Sequence, residues 1–232
     1  MKYKNIVCGR FIERPNRFIA KVDIDGTIET VHVKNTGRCK ELLIPGVKVY
    51  LSISDNPERK TKYDLIAVEK ERKEKSSLLI NMDSQVPNSA AEEWLKGGNL
   101  FSEAAVIKRE VKYGNSRFDI YAEDGERKAF IEVKGVTLEN NGTAFFPDAP
   151  TERGIKHIKE LIAAADDGYE AYLLFVIQMK EIDLFKPNEK THPEFVAALR
   201  LAAENGVKII AVDSIVTPGS IKIDLPVTVD LL

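Results

Sequence analysis

The chain has 232 residues, 44% of them hydrophobic and 30% charged, with a formal net charge of −2 and a pI near 6.0. This is the composition of an ordinary globular protein; it excludes a protein that coats nucleic acid through bulk positive charge, yet permits a localised basic surface. No apolar run approaches the ~20 residues that span a bilayer, and the opening MKYKNIVCGRF lacks a long apolar leader, so a cytoplasmic protein with no membrane partner is expected.

The charge is unevenly spread. Residues 1–75 carry 17 Lys/Arg against 11 Asp/Glu, and residues 76–232 carry 17 against 25. The asymmetry predicts two domains, the first facing something anionic. Cys8 and Cys39 have no partner at metal-ligand spacing and read as packing residues of a reducing compartment.

The first third reads as all-β. Strands are predicted over 4–13, 17–24 and 27–34, with Asp25-Gly26 as a hairpin turn. Asn35-Thr36-Gly37 then starts a short helix through Leu43, stopped by Pro45-Gly46. Two more strands follow over 47–53 and 64–69. Five short strands with a small helix predict a compact barrel of the OB type. The charged run KERKEKS at 70–76 reads as the boundary, giving a barrel domain over 1–75 and a second domain over 76–232.

The second domain alternates helix and strand. Asn88 is placed to cap a helix carrying Glu92, Glu93, Trp94 and Leu95, ended by Gly97-Gly98. A strand is predicted over 105–113. RFDIYAEDGERKAFIEVKGV at 117–136 is a hairpin about Asp124-Gly125. After the loop LENNGTAFFPDAP, Thr151 caps a helix with Ile155, Ile158 and Ile162 at helical spacing. AYLLFVIQM at 171–179 reads as a buried central strand, followed by a helix over 193–205 and a strand over 207–213. The order predicts a mixed α/β sheet with helices packed over it.

The hairpin carries the chemistry. If Asp124 to Arg127 form the loop, Glu123 pairs with Lys128 and Asp119 falls opposite Glu132. If Asp124-Gly125 alone form it, Asp119 pairs with Phe130 and Glu132 is its diagonal neighbour. Side chains alternate along a strand, so either register gathers Asp119, Glu132 and Lys134 on one face. Two adjacent carboxylates repel unless a cation or a proton lies between them. A divalent metal would resolve the conflict, stabilise charge on a phosphate and lower the pKa of an attacking water. The helix before these strands is expected to bring Glu93 towards them. The other reading of the three residues is a solvent-facing hairpin with an exposed ion pair.

Asp119 followed by Glu132-Val133-Lys134, on strands preceded by a helix with Glu93, resembles the PD-(D/E)XK nuclease superfamily. More specifically, NTGRCKELLIPG at 35–46, VKYGNSRFDIYAE at 111–123, IEVKGVTL at 131–138 and FPDAPTERGIKHIKEL at 146–161 resemble the SfsA family, that of sugar fermentation stimulation protein A. The resemblance implies an α+β two-domain chain, an OB-fold-like β-barrel followed by a mixed α/β PD-(D/E)XK nuclease-like domain, and it implies DNA as partner. It carries Mg²⁺ or Mn²⁺ ligands over to Asp119 and Glu132, a catalytic lysine to Lys134, and a further ligand to Glu93, with adjacent Glu92 as the alternative. It departs from the superfamily's pattern at Phe118, where that pattern has proline.

Arg10, Arg14, Arg17, Lys34, Arg38 and Lys40 are the candidates for a phosphate-tracking groove on the barrel, with Phe11 and Phe18 as stacking surfaces or core. Arg153 and His157, four apart on one helix, are placed to meet a phosphate. His32 and His192 read as structural. Asp148 either approaches the site or caps the helix that Thr151 begins. The expected function is DNA binding, with metal-dependent phosphodiester cleavage as the enzymatic reading and a non-catalytic regulator of sugar metabolism as its alternative.

Overall fold

The computed structural model describes every residue except Thr36, Lys73, Glu74 and Asn115, and describes Lys75 through its backbone. Thr36, in the short helix read from sequence, and Lys73 and Glu74, in the charged run, therefore lie outside the described residues.

Five strands close the barrel: β1 (Ile6–Asn16), β2 (Ile19–Ile24), β3 (Thr27–Val33), β4 (Lys48–Ile53) and β5 (Tyr63–Arg72). β1 lies between β2 and β4, β2 pairs with β3, and β4 pairs with β5. The parallel pairing of β3 with β5 shuts the ring. Alternation drives closure: Ala20, Val22, Val31, Val33, Val49, Leu51 and Leu65 point inward and are fully buried or nearly so. The segment expected as a short helix forms a single turn instead, with Leu43 N–H bonded to Cys39 O at 3.0 Å. Cys39 takes φ +45°, and Cys39, Leu42 and Leu43 bury into the core rather than lying along a helix face. Cys8, read as a packing residue, is exposed.

The first sheet continues past residue 75. β6 (Lys75–Asn81) pairs antiparallel with β5, because Leu78 and Ile80 supply another buried alternating face. The sequence KERKEKS thus spans the ends of two paired strands.

Among the described residues the second sheet has nine strands: β7 (Val106–Tyr113), β8 (Ser116–Asp124), β9 (Arg127–Val136), β10 (Leu138–Asn140), β11 (Thr143–Phe146), β12 (Glu170–Ile177), β13 (Leu184–Pro187), β14 (Lys208–Thr217) and β15 (Ser220–Val229). Their order across the sheet is β10-β11-β13-β15-β14-β12-β9-β8-β7. β12 is central and parallel to both β9 and β14, as its continuous apolar run predicts. β10, β11, β13 and β15 lie where the sequence predicts loop or no element; the first three are only three or four residues long, whereas β15 alternates Ile221, Ile223 and Val227 over ten residues, a strand signal the sequence does carry.

Among the described residues three helices cover the sheet: α1 (Val86–Lys96), α2 (Glu152–Asp166) and α3 (Pro193–Glu204). α1 packs over Ile120, Ala122, Ile131, Val133 and Leu174. α2 and α3 belong to the other core, with Phe118, Phe130, Leu173 and Phe175, which is continuous with the barrel interior. α1 begins at Val86 with proline in its first turn, so Asn88 is a helical residue rather than the cap; proline's fixed φ suits that position. Thr151 does cap α2, accepting from Gly154 N–H at 3.0 Å. Among the described residues no helix is long and apolar enough to cross a membrane.

Candidate metal centre and its basic flank

The β8–β9 ladder pairs Asp124 with Arg127, Glu123 with Lys128 and Ile120 with Ile131. This is the register in which Glu123 meets Lys128; continued by one residue, it sets Asp119 level with Glu132. There the ladder gives way to a side chain: Asp119 Oδ2 accepts Val133 N–H at 2.8 Å. Asp119 Oδ1 accepts from Asn88 Nδ2 at 2.7 Å, so α1 reaches the site through an amide. Burial, reinforced by the Glu132 charge, pushes the Asp119 carboxyl above its ordinary range despite these donors.

Glu132 is 1% exposed. Burial alone would raise its pKa; the His157 hydrogen bond and the Lys134 ammonium outweigh that and hold it below the ordinary range. Both contacts fall on Oε1, with Lys134 Nζ and His157 Nδ1 as partners. Glu132 Oε2 is buried and has no hydrogen-bond partner among the described residues. His157 is itself buried, and its Nε2 faces Arg153 Nε at 3.4 Å. With Nε2 accepting from Arg153, the proton sits on Nδ1 and is donated to Glu132.

A hard cation fits this donor set. A buried carboxylate oxygen without a donor, beside a second carboxylate whose lone pairs are only partly used, is what an oxygen-seeking dication binds. Among the described residues no group of three His, Cys, Asp or Glu side chains forms a ready cage. Such an ion would complete its shell with water, as Mg²⁺ does.

Glu93 does not join the pair. It is 58% exposed and holds the Met1 ammonium. Glu92 is turned aside as well, pairing with Lys96 at 2.6 Å and Arg109 at 3.8 Å. The reason is rotation about the α1 axis. Ala90, Ala91 and Leu95 form the buried stripe, which sends Asn88 to Asp119 and leaves both glutamates on the flanks.

The barrel cations divide. Arg14 is spent internally, donating to the carbonyls of Asn35, Gly37, Arg38 and Arg17 at 2.6–2.9 Å. Lys34 lies between Asp64 and Asp83 at 3.4 and 3.5 Å. These two brace the fold rather than a surface groove. Arg10, Arg17, Arg38 and Lys40 are exposed. Phe11 is core, whereas Phe18 is 46% exposed with the Arg17 guanidinium 4.9 Å above its ring. His32 bonds Asp64 at 3.0 Å and His192 receives Thr151 N–H at 3.2 Å, both structural roles.

Asp148 neither caps α2 nor joins the carboxylate pair. The backbone N–H groups of Arg38 and Ala149 face its carboxylate, which burial nevertheless pushes above its ordinary range. A Cβ on Gly37 would come within 2.2 Å of its Oδ2, so the barrel's Gly37 has no room for a side chain against this loop. The two motifs NTGRC and FPDAP therefore meet each other, a pairing that neither shows alone.

Fold and centre together define a two-domain protein, an OB barrel joined to a mixed-sheet domain that buries a paired-carboxylate centre. The chain belongs to the SfsA family. The model of the SfsA N-terminal OB domain matches residues 12–78, and that of the sugar fermentation stimulation protein RE domain matches residues 85–220. The sugar fermentation stimulation protein homolog of Ruminiclostridium cellulolyticum is 60% identical over the whole of both chains. That of Clostridium beijerinckii is 59% identical over 96% of each. The structure of Pyrococcus furiosus SfsA, solved in complex with Ca²⁺, superposes with a TM-score of 0.88 at 32% identity, covering 99% of this chain and 98% of that one.

Proposed function

We propose that this chain binds DNA and holds a divalent cation, Mg²⁺ or Mn²⁺, between Asp119 and Glu132, and that it cleaves phosphodiester bonds there in the manner of PD-(D/E)XK nucleases. The observation that carries this reading is the buried, partnerless Oε2 of Glu132 beside Asp119. The Ca²⁺ held by the Pyrococcus furiosus relative supports a hard dication in this fold.

The bound ion would supply Lewis-acid stabilisation of a phosphate oxygen and acidify a water. The chain's own residues do the rest. Asn88 and Val133 N–H fix the Asp119 carboxylate. His157 fixes Glu132 from behind. The Lys134 ammonium, tethered to Glu132, is positioned to offset negative charge developing on the phosphate. The exposed Arg10, Arg17, Arg38 and Lys40 would follow the strand across the barrel.

The test is incubation of the full chain with labelled single- and double-stranded DNA, with and without Mn²⁺, beside Glu132→Gln. Metal-dependent cutting by the wild type and none by the variant supports the enzyme. A second reading, a DNA-binding regulator without cleavage, draws on the ion pairing of Lys134 and His157 with Glu132, which satisfies Oε1 without a metal. Equal DNA retention by both proteins, uncut under every metal, would favour it. No retention at low salt would remove both.

A further inference from the structure

Lys112, Ser116, Arg117, Arg153, Lys156 and His157 line a hollow of about 420 Å³ on the outer flank of the Glu132 centre. Its four cations are exposed at the rim, and His157 is buried. Lys112 and Arg117 are direct cross-strand partners in β7 and β8. Like charges so placed repel each other. Arg153 and Lys156 stand three apart on α2, again like charges at neighbouring positions. Two repulsive pairs around one hollow lower the stability of the empty chain and would be relieved by an anion.

Arg117 and Lys156 reach Glu110 and Glu160, each at 3.7 Å. Lys112 and Arg153 make no ion pair among the described residues. Set against the four cations, the two carboxylates leave an excess of two positive charges. Ser116 is committed to Glu160, so recognition falls to the cations.

We infer that this hollow binds a phosphate monoester at the end of a nucleic-acid strand. A monoester carries roughly −1.5 to −2 near neutral pH, which the twofold excess matches, whereas an internal phosphodiester carries one charge. Arginine's planar fork suits phosphate oxygens. The hollow is one imidazole ring from the candidate metal centre, since Arg153 contacts His157 Nε2 and His157 Nδ1 contacts Glu132. A phosphorylated end seated there presents a nearby linkage of the same strand to Asp119 and Glu132. The inference rests on the proposed binding of DNA and adds which part of the strand is grasped.

The test uses the full chain at low salt without metal. Affinity is measured for one short oligonucleotide bearing a 5′-phosphate, a 3′-phosphate or neither, and orthophosphate binding is measured separately by calorimetry. The expected result is at least a tenfold preference for one phosphorylated end, with competition by orthophosphate. The double variant Lys112→Ala/Arg117→Ala should lose the preference while melting no lower than wild type; Lys112→Arg should keep it. Equal affinity for all three oligonucleotides would overturn the inference and leave DNA binding standing. Orthophosphate bound by wild type and lost in the double variant, with no oligonucleotide bound, would overturn the strand-end assignment together with the nucleic-acid reading. A preference that survives in a folded double variant would place the end elsewhere and overturn the inference too.

Discussion

Asn88 Nδ2 donates to Asp119 Oδ1 at 2.7 Å, and through this bond α1 orients a carboxylate it does not itself supply. Removing the amide leaves Asp119 with one donor, Val133 N–H, and freer to rotate. Partners that orient a ligand typically account for 10–100-fold in metal affinity. Asn88→Ala should therefore weaken Mn²⁺ binding about tenfold, read by calorimetry. An unchanged affinity would show that Asp119 needs no orientation by α1.

Asp119 and Glu132 repel each other across the end of the β8–β9 ladder. A divalent ion that binds the folded state alone raises the melting temperature by mass action. Wild type should gain several degrees in excess Mn²⁺, and Asp119→Asn should gain little. Without metal, Asp119→Asn should melt at or above wild type, because the repulsion is gone, the side-chain oxygen still accepts from Val133 N–H, and Asn88 can turn its amide to accept from the new NH2. A thermal melt with and without Mn²⁺ decides; equal metal-induced gains would place the ion elsewhere.

The barrel has its own pH signature at Asp64. Burial works to raise its pKa, but hydrogen bonds from Arg59 and His32 and the nearby Lys34 ammonium win, lowering it from 3.8 to about 2. A carboxyl depressed on folding contributes stability above its unfolded pKa and loses it as pH falls through the folded value. Asp64→Asn should cost roughly 1.5–3 kcal/mol at neutral pH, the range for hydrogen bonds to charged groups. That difference should shrink between pH 3.8 and about 2. Urea melts across this window test it; a constant gap would mean that Asp64 stabilises through shape and not charge.

Arg14 and the pair Arg38 and Lys40 should behave oppositely. Arg14 bonds four backbone carbonyls, so Arg14→Ala should cost at least ~1.5 kcal/mol of stability. Arg38→Ala/Lys40→Ala, at exposed positions, should leave stability near wild type and weaken DNA retention. Its salt slope should fall by up to ~0.9 for each phosphate no longer neutralised. Retention unchanged by the double variant would take this segment out of the DNA path.

Much was legible along the chain, for a local reason in each case. Period-two alternation marked the barrel strands. Asp124-Gly125 marked the hairpin and narrowed its register to two, either of which gathers Asp119, Glu132 and Lys134. The unbroken apolar run marked β12 as central. The edge strand β10 and β13, two places further in, escaped, being three and four residues long with no clear alternation.

What sequence alone determined was the covalently near part of the centre: Glu132 and Lys134 two apart on one strand, with Asp119 across a tight turn. Strand geometry forces that proximity whatever the remainder does. Tertiary structure decided everything that depends on how a helix is rotated or where a distant loop docks. The stripe Ala90, Ala91 and Leu95 chose Asn88 over Glu92 and Glu93, and the packing of α2 brought His157, with Arg153 one turn away on the same helix, onto Glu132. Such choices follow from burying one apolar face among several available, a global sum that no short window of residues contains.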